Sequence, residues 1–203
     1  MTYFLEQTLY RISENIQSGG MVMIPLMLVS VVMWVLIIHK AFYFKRLREK
    51  NITRKTAGEY VSQNRAPDPN QYPGITSHFV REFINRRSGD RTTDQFILDE
   101  TVMHIVAMLD RHLSAIGVLA GVAPLLGLLG TVMGMMTTFD IISVYGTGNA
   151  KAMAGGISEA LITTQTGLLV AIPGIYMKTF LTRRAENLKQ QISALGIYLK
   201  RFV

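Results

Sequence analysis

The chain has 203 residues, of which 49% are hydrophobic and 17% are charged, whereas a soluble domain carries about 25% charged residues. It contains no cysteine, which excludes a disulfide framework, a thiol nucleophile and a cysteine-ligated metal. The formal net charge of +7 fits binding to nucleic acid or to anionic lipid, so the positions of the charges must distinguish the two.

The first predicted element is an amphipathic helix over residues 1–18. Its apolar residues follow alternating spacings of four and three, at Leu5, Leu9, Ile12 and Ile16. A helix of this kind lies flat in the membrane interface, and we expect it on the outer side. The start MTYFLEQ has no basic residue and no small-residue cleavage site follows the next apolar run, so no cleaved signal peptide is predicted.

Three apolar runs follow, and each is long enough to cross a bilayer as a helix, which takes about 18 residues or more. The predicted order is a first span at residues 19–44, a helical loop at 45–111, a second span at 112–143, a short outer turn at 144–151, a third span at 152–178 and a helical tail at 179–203. The predicted fold class is therefore an all-α membrane protein with three transmembrane helices and long cytoplasmic helical extensions.

The basic residues predict how the chain is oriented in the membrane. They crowd into the loop and the tail, whereas only Arg11 and Lys151 lie on the other side of the spans. Cytoplasmic segments carry an excess of Lys and Arg, so we expect a periplasmic N-terminus and a cytoplasmic C-terminus. Topology accounts for the positive charge, and no nucleic-acid partner is predicted.

The loop and the tail are predicted to hold helices that continue beyond the membrane. We expect the first-span helix to reach about Ser62, before an irregular link over residues 66–74 that is rich in Pro, Asn and Gly. Thr92 and Gln95 fit a capping box, which predicts one helix from residue 93 to about residue 142. The tail carries a heptad-like seam that either packs on a partner helix or lies alone on the membrane surface, at Leu188, Ile192, Leu195, Leu199 and Phe202.

The second span is rich in glycine, which predicts close packing against another helix. Small residues four apart let two helices approach within a membrane, where lipid supplies no hydrophobic drive for association. The alternative is that glycine is simply common in membrane helices. The glycines predicted to serve helix packing are Gly117, Gly121, Gly127, Gly130 and Gly134.

Glu159 is the one acidic or basic residue between Lys151 and Lys178. A charged side chain at the centre of a bilayer costs about 2.5 kcal/mol or more, so intramembrane carboxyls usually mark ion routes. A carboxyl that gains and loses a proton there could act as a relay, whereas the alternative is a permanently protonated structural residue. At 100° per residue, Thr163 falls on the same helix face as Glu159.

The sequence lacks the patterns that mark most enzymes. No nucleophile–base pair, metal-ligand spacing or phosphate-binding loop is present, so neither an enzyme nor a metal or other cofactor is predicted. One carboxyl per chain cannot form a continuous proton path. We therefore expect either several copies of the chain or a partner that brings another titratable group.

Two segments resemble a known family. APLLGLLGTVMGM at residues 123–135 and GISEALITTQTGLLVAIPG at residues 156–174 are similar to the ExbB/TolQ/MotA proton-channel family. MotA proteins have four spans and a larger cytoplasmic part, so the chain is closer to ExbB or TolQ. The AIPG segment and the compact size favour ExbB, the biopolymer transport protein of the TonB system.

The resemblance implies a function, partners and site residues. It implies a homopentamer in the bacterial inner membrane around a dimer of ExbD-like subunits, which uses the proton motive force to energise TonB-dependent outer-membrane uptake. Glu159 then matches the intramembrane Glu of the family, and Thr131 and Thr164 match its lining threonines, with Thr163 ranked second from the helix wheel. Gln165 and Thr166 depart from many relatives, which carry smaller or apolar residues there.

Other functions stay open at the level of the sequence. A TolQ-like subunit would use the same machinery for envelope maintenance and constriction, together with a TolR-like partner. A passive scaffold would use Glu159 only to bind a single-span partner. A sodium-driven variant is also compatible, because threonine hydroxyls and a carboxylate can coordinate that cation.

Overall fold

The computed structural model describes residues 19–203, so the amphipathic helix predicted over residues 1–18 lies outside the described residues. Within residues 19–203 the chain forms six α-helices, one short 3-10 helix at Gly146–Gly148 and no strand. The α-helices, in chain order from α1 to α6, are Met23–Arg48, Arg54–Ser62, Ile75–Arg86, Arg91–Asp110, Leu113–Tyr145 and Ala150–Leu199.

Three helical stretches are long and apolar enough to cross a membrane. They are Met23–Arg48, Arg91–Gly148 and Ala150–Leu199. This confirms the predicted all-α membrane class with three transmembrane helices. The exact limits of the three spans and of the segments between them stay a prediction.

The described chain divides into two compact units. Residues 19–36 and Ala115–Lys178 form the first, called here the membrane unit, and Ile37–Ser114 and Thr179–Val203 form the second, called the polar unit. The membrane unit contains four acidic or basic residues, at Asp140, Lys151, Glu159 and Lys178.

In the membrane unit, α1, α5 and α6 meet at one small residue. A Cβ atom added to Gly174 of α6 would lie 2.5 Å from the sulfur of Met33 and 3.0 Å from the Cβ of Ala120. Met33 and Ala120 are both fully buried. The glycine therefore lets a long side chain of α1 reach the packed face of α5.

In the polar unit, the carboxylate of Asp94 organises the start of α4. It is buried and accepts hydrogen bonds from the Ser88 backbone N–H at 2.7 Å, from the Gly89 N–H at 3.3 Å and from Arg87 Nε at 2.9 Å. These donors compensate the buried charge, which would otherwise strongly destabilise the unit. The turn at Ser88–Gly89 is thereby fixed against α4.

The tail of α6 packs along α4 in the polar unit. The seam residues Leu188, Ile192, Leu195 and Leu199 are buried, whereas Phe202 lies beyond the end of α6 and is 39% exposed. The contact runs antiparallel, with ion pairs Lys189–Asp110 at 2.5 Å and Lys200–Asp99 at 2.7 Å. The seam thus has its partner helix within the same chain.

The loop helices differ from the prediction in two places. The first-span helix α1 ends at Arg48, and residues 54–62 form a separate helix capped by Thr53, whose hydroxyl accepts the N–H of Thr56. Helix α4 begins at Arg91 and is capped by Asp90 rather than by Thr92. The Asp90 carboxylate accepts both the N–H of Thr93, at 2.9 Å, and its hydroxyl, at 2.7 Å.

The helix predicted without interruption over residues 93–142 is two helices, separated at Arg111 and His112. His112 has φ of +69°, which a continuing α-helix does not allow. In an unbroken helix the Met108 carbonyl would accept the N–H of His112, four residues on. Instead it accepts a hydrogen bond from Lys40 Nζ at 3.1 Å, so a side chain from α1 takes the bond that would have continued the helix.

Candidate ion-pathway site

The candidate site lies in the membrane unit, where α5 and α6 are in contact through their backbones. A Cβ added to Gly127 would lie 3.1 Å from the Cα of Thr164, and one added to Gly134 would lie 2.6 Å from the carbonyl oxygen of Gly156. Side-chain carbons essentially never approach other heavy atoms within 3.0 Å, so only hydrogen fits at Gly134, whereas a Cβ at Gly127 would require the backbone at Thr164 to shift by a few tenths of an ångström. The pairing also shows that α5 and α6 run antiparallel.

The five glycines predicted to serve packing have different surroundings. Gly127 and Gly134 face the backbone of α6, and Gly130 faces the side chain of Thr163. A Cβ on Gly117 would make an ordinary contact at 3.4 Å with Lys178, and one on Gly121 would meet no described heavy atom within 4 Å. Of these five glycines, the three that lie close against α6 therefore all follow Pro124.

The α6 side of this contact was not singled out from the sequence. It includes Gly156 and Gly167. A Cβ added to Gly156 would lie 2.8 Å from the carbonyl oxygen of Gly134, and one added to Gly167 would lie 2.8 Å from the carbonyl oxygen of Ala123. The signal was present, because Gly156 and Ala160 stand four residues apart.

The three predicted threonines use their hydroxyls differently. Thr164 donates from its hydroxyl to the Gly127 carbonyl at 3.2 Å and so links α6 to α5. Thr163 is fully buried and donates to the Ala160 carbonyl of its own helix at 2.9 Å. Thr131 likewise donates within its helix, to Leu128 at 2.6 Å. Only the Thr164 hydroxyl therefore joins the two helices.

Glu159 lies half-buried beneath the turn that precedes α1. Its carboxyl group occupies the space beside the Cα of Gly20, which has φ of +63°. No described hydrogen bond or ion pair joins this carboxyl to any residue between 19 and 203. An acid in an apolar helix thus lies against a backbone turn and is not neutralised by a described basic side chain.

A match to a known family covers these two antiparallel helices and Glu159. Residues 71–194 match the MotA/TolQ/ExbB proton channel family. The chain belongs to the MotA/TolQ/ExbB family. The matched range covers α5 and most of α6, including Thr131, Glu159, Thr163 and Thr164.

Individual relatives in the MotA/TolQ/ExbB family support the assignment over most of the chain. An ExbB-like biopolymer transport protein of Synechocystis is 28% identical over 97% of this chain and 80% of its own length. The biopolymer transport protein ExbB of Neisseria meningitidis is 26% identical over 89% of this chain and 91% of its own. ExbB of Pseudomonas putida is 32% identical over 85% of this chain and 56% of its own.

The site residues of this MotA/TolQ/ExbB protein lie on two sides of α6. The residues of α6 that face α5 are Gly156, Ala160, Thr163 and Gly167. Glu159 and Thr164 are five positions apart, which places them about 140° apart around the helix, on either flank of that stripe. Thr131 follows one turn after Gly127, the acceptor of the Thr164 hydroxyl. Thr131 and the α5 carbonyl that Thr164 contacts therefore lie on one stretch of α5, whereas Glu159 lies beside the Gly20 turn.

Proposed function

We propose that this chain is a proton-conducting stator subunit of an inner-membrane motor that energises TonB-dependent uptake across the outer membrane. The protein is then a transport subunit and not an enzyme. The observation that carries the proposal is Glu159, the one acid or base in the apolar stretch 152–177, held against Gly20 without a described hydrogen-bond partner.

The physical argument concerns the charge of this carboxyl. Its ionised form is costly in hydrocarbon, by about 2.5 kcal/mol or more at mid-bilayer. Because the chain offers it no basic partner among residues 19–203, a proton or a partner's charge must neutralise it. A carboxyl that exchanges its proton with each passage can couple proton flow to motion. The hydroxyls of Thr131 and Thr164 are the proposed lining groups, with Thr163 second.

One acid per chain requires an assembly, so we include partners in the proposal. Five copies would surround a dimer of ExbD-like subunits, each of which contributes an acid, and force would pass to a TonB-like protein. Large apolar side chains of α5 and α6 are exposed in the single chain and are available to lipid or to neighbouring copies, among them Leu125, Leu128, Val132, Leu161 and Leu169.

The proposed orientation follows from the basic residues. The loop between the first two spans and the tail after the third carry most of the Lys and Arg residues. These segments would face the cytoplasm of a Gram-negative cell, and the turn at Gly146–Gly148 would face the periplasm.

The test replaces Glu159 in the chromosomal copy by Gln, which keeps the shape and the hydrogen-bonding capacity but cannot carry a proton. We expect uptake of a ferric siderophore or vitamin B12 to fall to the level of a deletion strain. The matched control is Asp140→Asn, which removes a carboxylate from the exposed end of α5 and is expected to leave uptake near wild type. Protein level and the mass of the detergent-purified complex are measured in each strain.

The outcomes separate the competing functions. Normal uptake by Glu159→Gln at normal protein level, in cells with an intact envelope, would leave only the passive scaffold. Unchanged uptake together with a leaky, chain-forming phenotype in the same variant would indicate the TolQ-like role. A complex whose mass excludes five copies would contradict the proposed assembly but not the role of Glu159.

A further inference from the structure

A small cavity in the polar unit lies beside the interruption between α4 and α5. Its volume is about 140 Å³. The lining residues include several nitrogen donors and no carboxylate, and they are His39, Lys40, Tyr43, Met108, Arg111 and His112. Two cationic side chains and two imidazoles therefore line one space.

Lys40 is the central group of this cavity. It is only 3% exposed, and its ammonium donates to the Met108 carbonyl at 3.1 Å. The nitrogen also lies 5.1 Å from the ring centre of Tyr43 and 4.9 Å from that of Phe44, which are favourable cation–π distances. An ammonium has three N–H donors, so one carbonyl does not satisfy it.

The charge of Asp110 acts favourably on Lys40, but no described ion pair joins the two side chains. The carboxylate next to the cavity along the chain belongs to Asp110, and it is paired with Lys189 at 2.5 Å. No described ion pair includes Lys40 or Arg111 among residues 19–203. A buried charge is unfavourable when its nearby acid is paired with another cation, so the site as it stands is suited to an incoming anion.

Capping of α4 explains only part of the arrangement. A cation at the end of a helix interacts favourably with the last carbonyls, and the bond from Lys40 to Met108 is of this type. Capping requires neither Arg111 nor the edge-to-face pair of His39 and His112, whose ring centres are 6.5 Å apart. These three side chains are exposed and can reach a ligand that enters from outside.

We propose that this cavity binds a phosphate group. The ammonium of Lys40 would supply the buried charge, the guanidinium of Arg111 can donate two parallel hydrogen bonds, and each imidazole has an N–H in either protonation state. Lys40 follows the apolar run that ends at Ile38, and His112 precedes the apolar run that begins at Leu113. Residues at the ends of two apolar runs would lie near lipid headgroups, so an anionic phospholipid or a free phosphate could supply the group.

The test uses the full chain purified in an uncharged detergent. Thermal unfolding is followed by circular dichroism during titration with phosphatidylglycerol, with phosphatidylcholine, or with inorganic phosphate and no lipid. We expect phosphatidylglycerol to raise the midpoint temperature and phosphatidylcholine, which has no net charge, to have little effect. A response to inorganic phosphate as well would identify the soluble anion as a second source.

Variants connect the response to the cavity. Lys40→Met keeps the aliphatic stem of the side chain. Arg111→Gln changes an exposed residue and is the alternative variant if Lys40→Met does not fold. Each is expected to lose more than half of the shift, whereas Lys45→Met, an exposed cation of α1 outside the cavity, keeps it. The proposal is overturned if both cavity variants respond like wild type, if Lys45→Met loses the response equally, or if neither phosphatidylglycerol nor phosphate shifts the wild type.

Discussion

The carboxyl group of Glu159 occupies the space that a Cβ atom on Gly20 would need. Gly20 also has φ of +63°, a conformation that side chains rarely adopt. Two independent requirements therefore select glycine at this position, one from its own backbone and one from an acid far along the chain. The turn before α1 is thus part of the environment of the proposed proton carrier.

The first prediction is that Gly20→Ala impairs function more than it impairs folding. The left-handed backbone costs an alanine about 1 kcal/mol, and the added methyl group must also displace the Glu159 carboxyl. Uptake supported by this variant should approach that of Glu159→Gln, while protein level falls only moderately. Both quantities are measured in the same chromosomal replacement strains.

Gly146→Ala is the matched control for that prediction. Gly146 has φ of +65° but no described heavy atom within 4 Å of an added Cβ. Gly146→Ala therefore introduces the same backbone strain without a contact to Glu159, and uptake should stay near wild type. Equal losses of uptake in the two variants would show that backbone strain alone, and not the carboxyl, is responsible.

The second prediction concerns the contact between α5 and α6. Gly134→Val should lower the thermal unfolding temperature by several degrees, because its Cβ would lie 2.6 Å from the Gly156 carbonyl oxygen and overpacking costs about 1–3 kcal/mol. Gly121→Val makes the same chemical change in open space and should be close to neutral. Unfolding of both purified variants in detergent checks the difference, and a tolerated Gly134→Val would contradict the close approach.

The third prediction separates two adjacent threonines. Thr164→Val removes the hydroxyl that bridges to Gly127, and such a bond contributes about 0.6 kcal/mol in a membrane. We expect a small loss of stability and a fall in uptake to below half, with recovery in Thr164→Ser. Thr163→Val keeps the shape and loses only a bond within its own helix, so it should be tolerated. A larger loss of uptake in Thr163→Val than in Thr164→Val would instead favour Thr163, the lining residue indicated by the helix wheel.

The fourth prediction is a dependence of stability on pH through His78 in α3. Burial lowers the pKa of His78 below its ordinary 6.5, although Glu82 opposes this effect. The unfolded chain then binds a proton more readily than the folded one. The contribution of His78 to stability is complete above pH 6.5 and is lost as the pH falls towards the folded pKa.

The measurement compares the unfolding temperature of wild type and His78→Gln at about pH 7.5 and about pH 5.5. Wild type should lose more stability on acidification than the variant does. An equal loss in both proteins would assign the acid sensitivity to other groups.

The sequence predicted the features that depend on local composition. Long uncharged runs have to be buried in lipid, so the three spans and the all-α class followed from residue type alone. The tail seam also followed, because a heptad-like apolar stripe requires a partner. Its partner, α4, could not be identified, since the ion pairs Lys189–Asp110 and Lys200–Asp99 join residues that are far apart in the sequence.

The features that were missed depend on contacts between distant segments. The segment around Arg111 and His112 contains no Gly or Pro, so nothing local predicts the interruption of the helix. At the interruption the Met108 carbonyl accepts a hydrogen bond from Lys40, which comes from another part of the chain. The cap at Asp90 was missed for a simpler reason, because Thr92 satisfied the pattern and hid an equally good residue two positions earlier.

The candidate site was predicted as a set of residues but not as an arrangement. The rarity of a carboxyl in an apolar helix identifies Glu159, whereas the cover that Gly20 provides depends on tertiary structure. The helix wheel and the family resemblance disagreed about Thr163 and Thr164. The wheel shows only which residues share a face with Glu159, whereas the Thr164 hydroxyl is directed to Gly127 on the neighbouring helix.

The backbone contact between α5 and α6 fixes the register of the two helices. Gly127 and Gly134 lie close against the backbone of α6, so a slip of one residue along α5 would bring Leu128 or Met135 into a gap with little room for a side chain. The close backbone contact thus resists sliding of α5 along α6. The proposed proton carrier on α6 therefore keeps a fixed position along α5, and we expect any movement of one of these helices to carry the other with it.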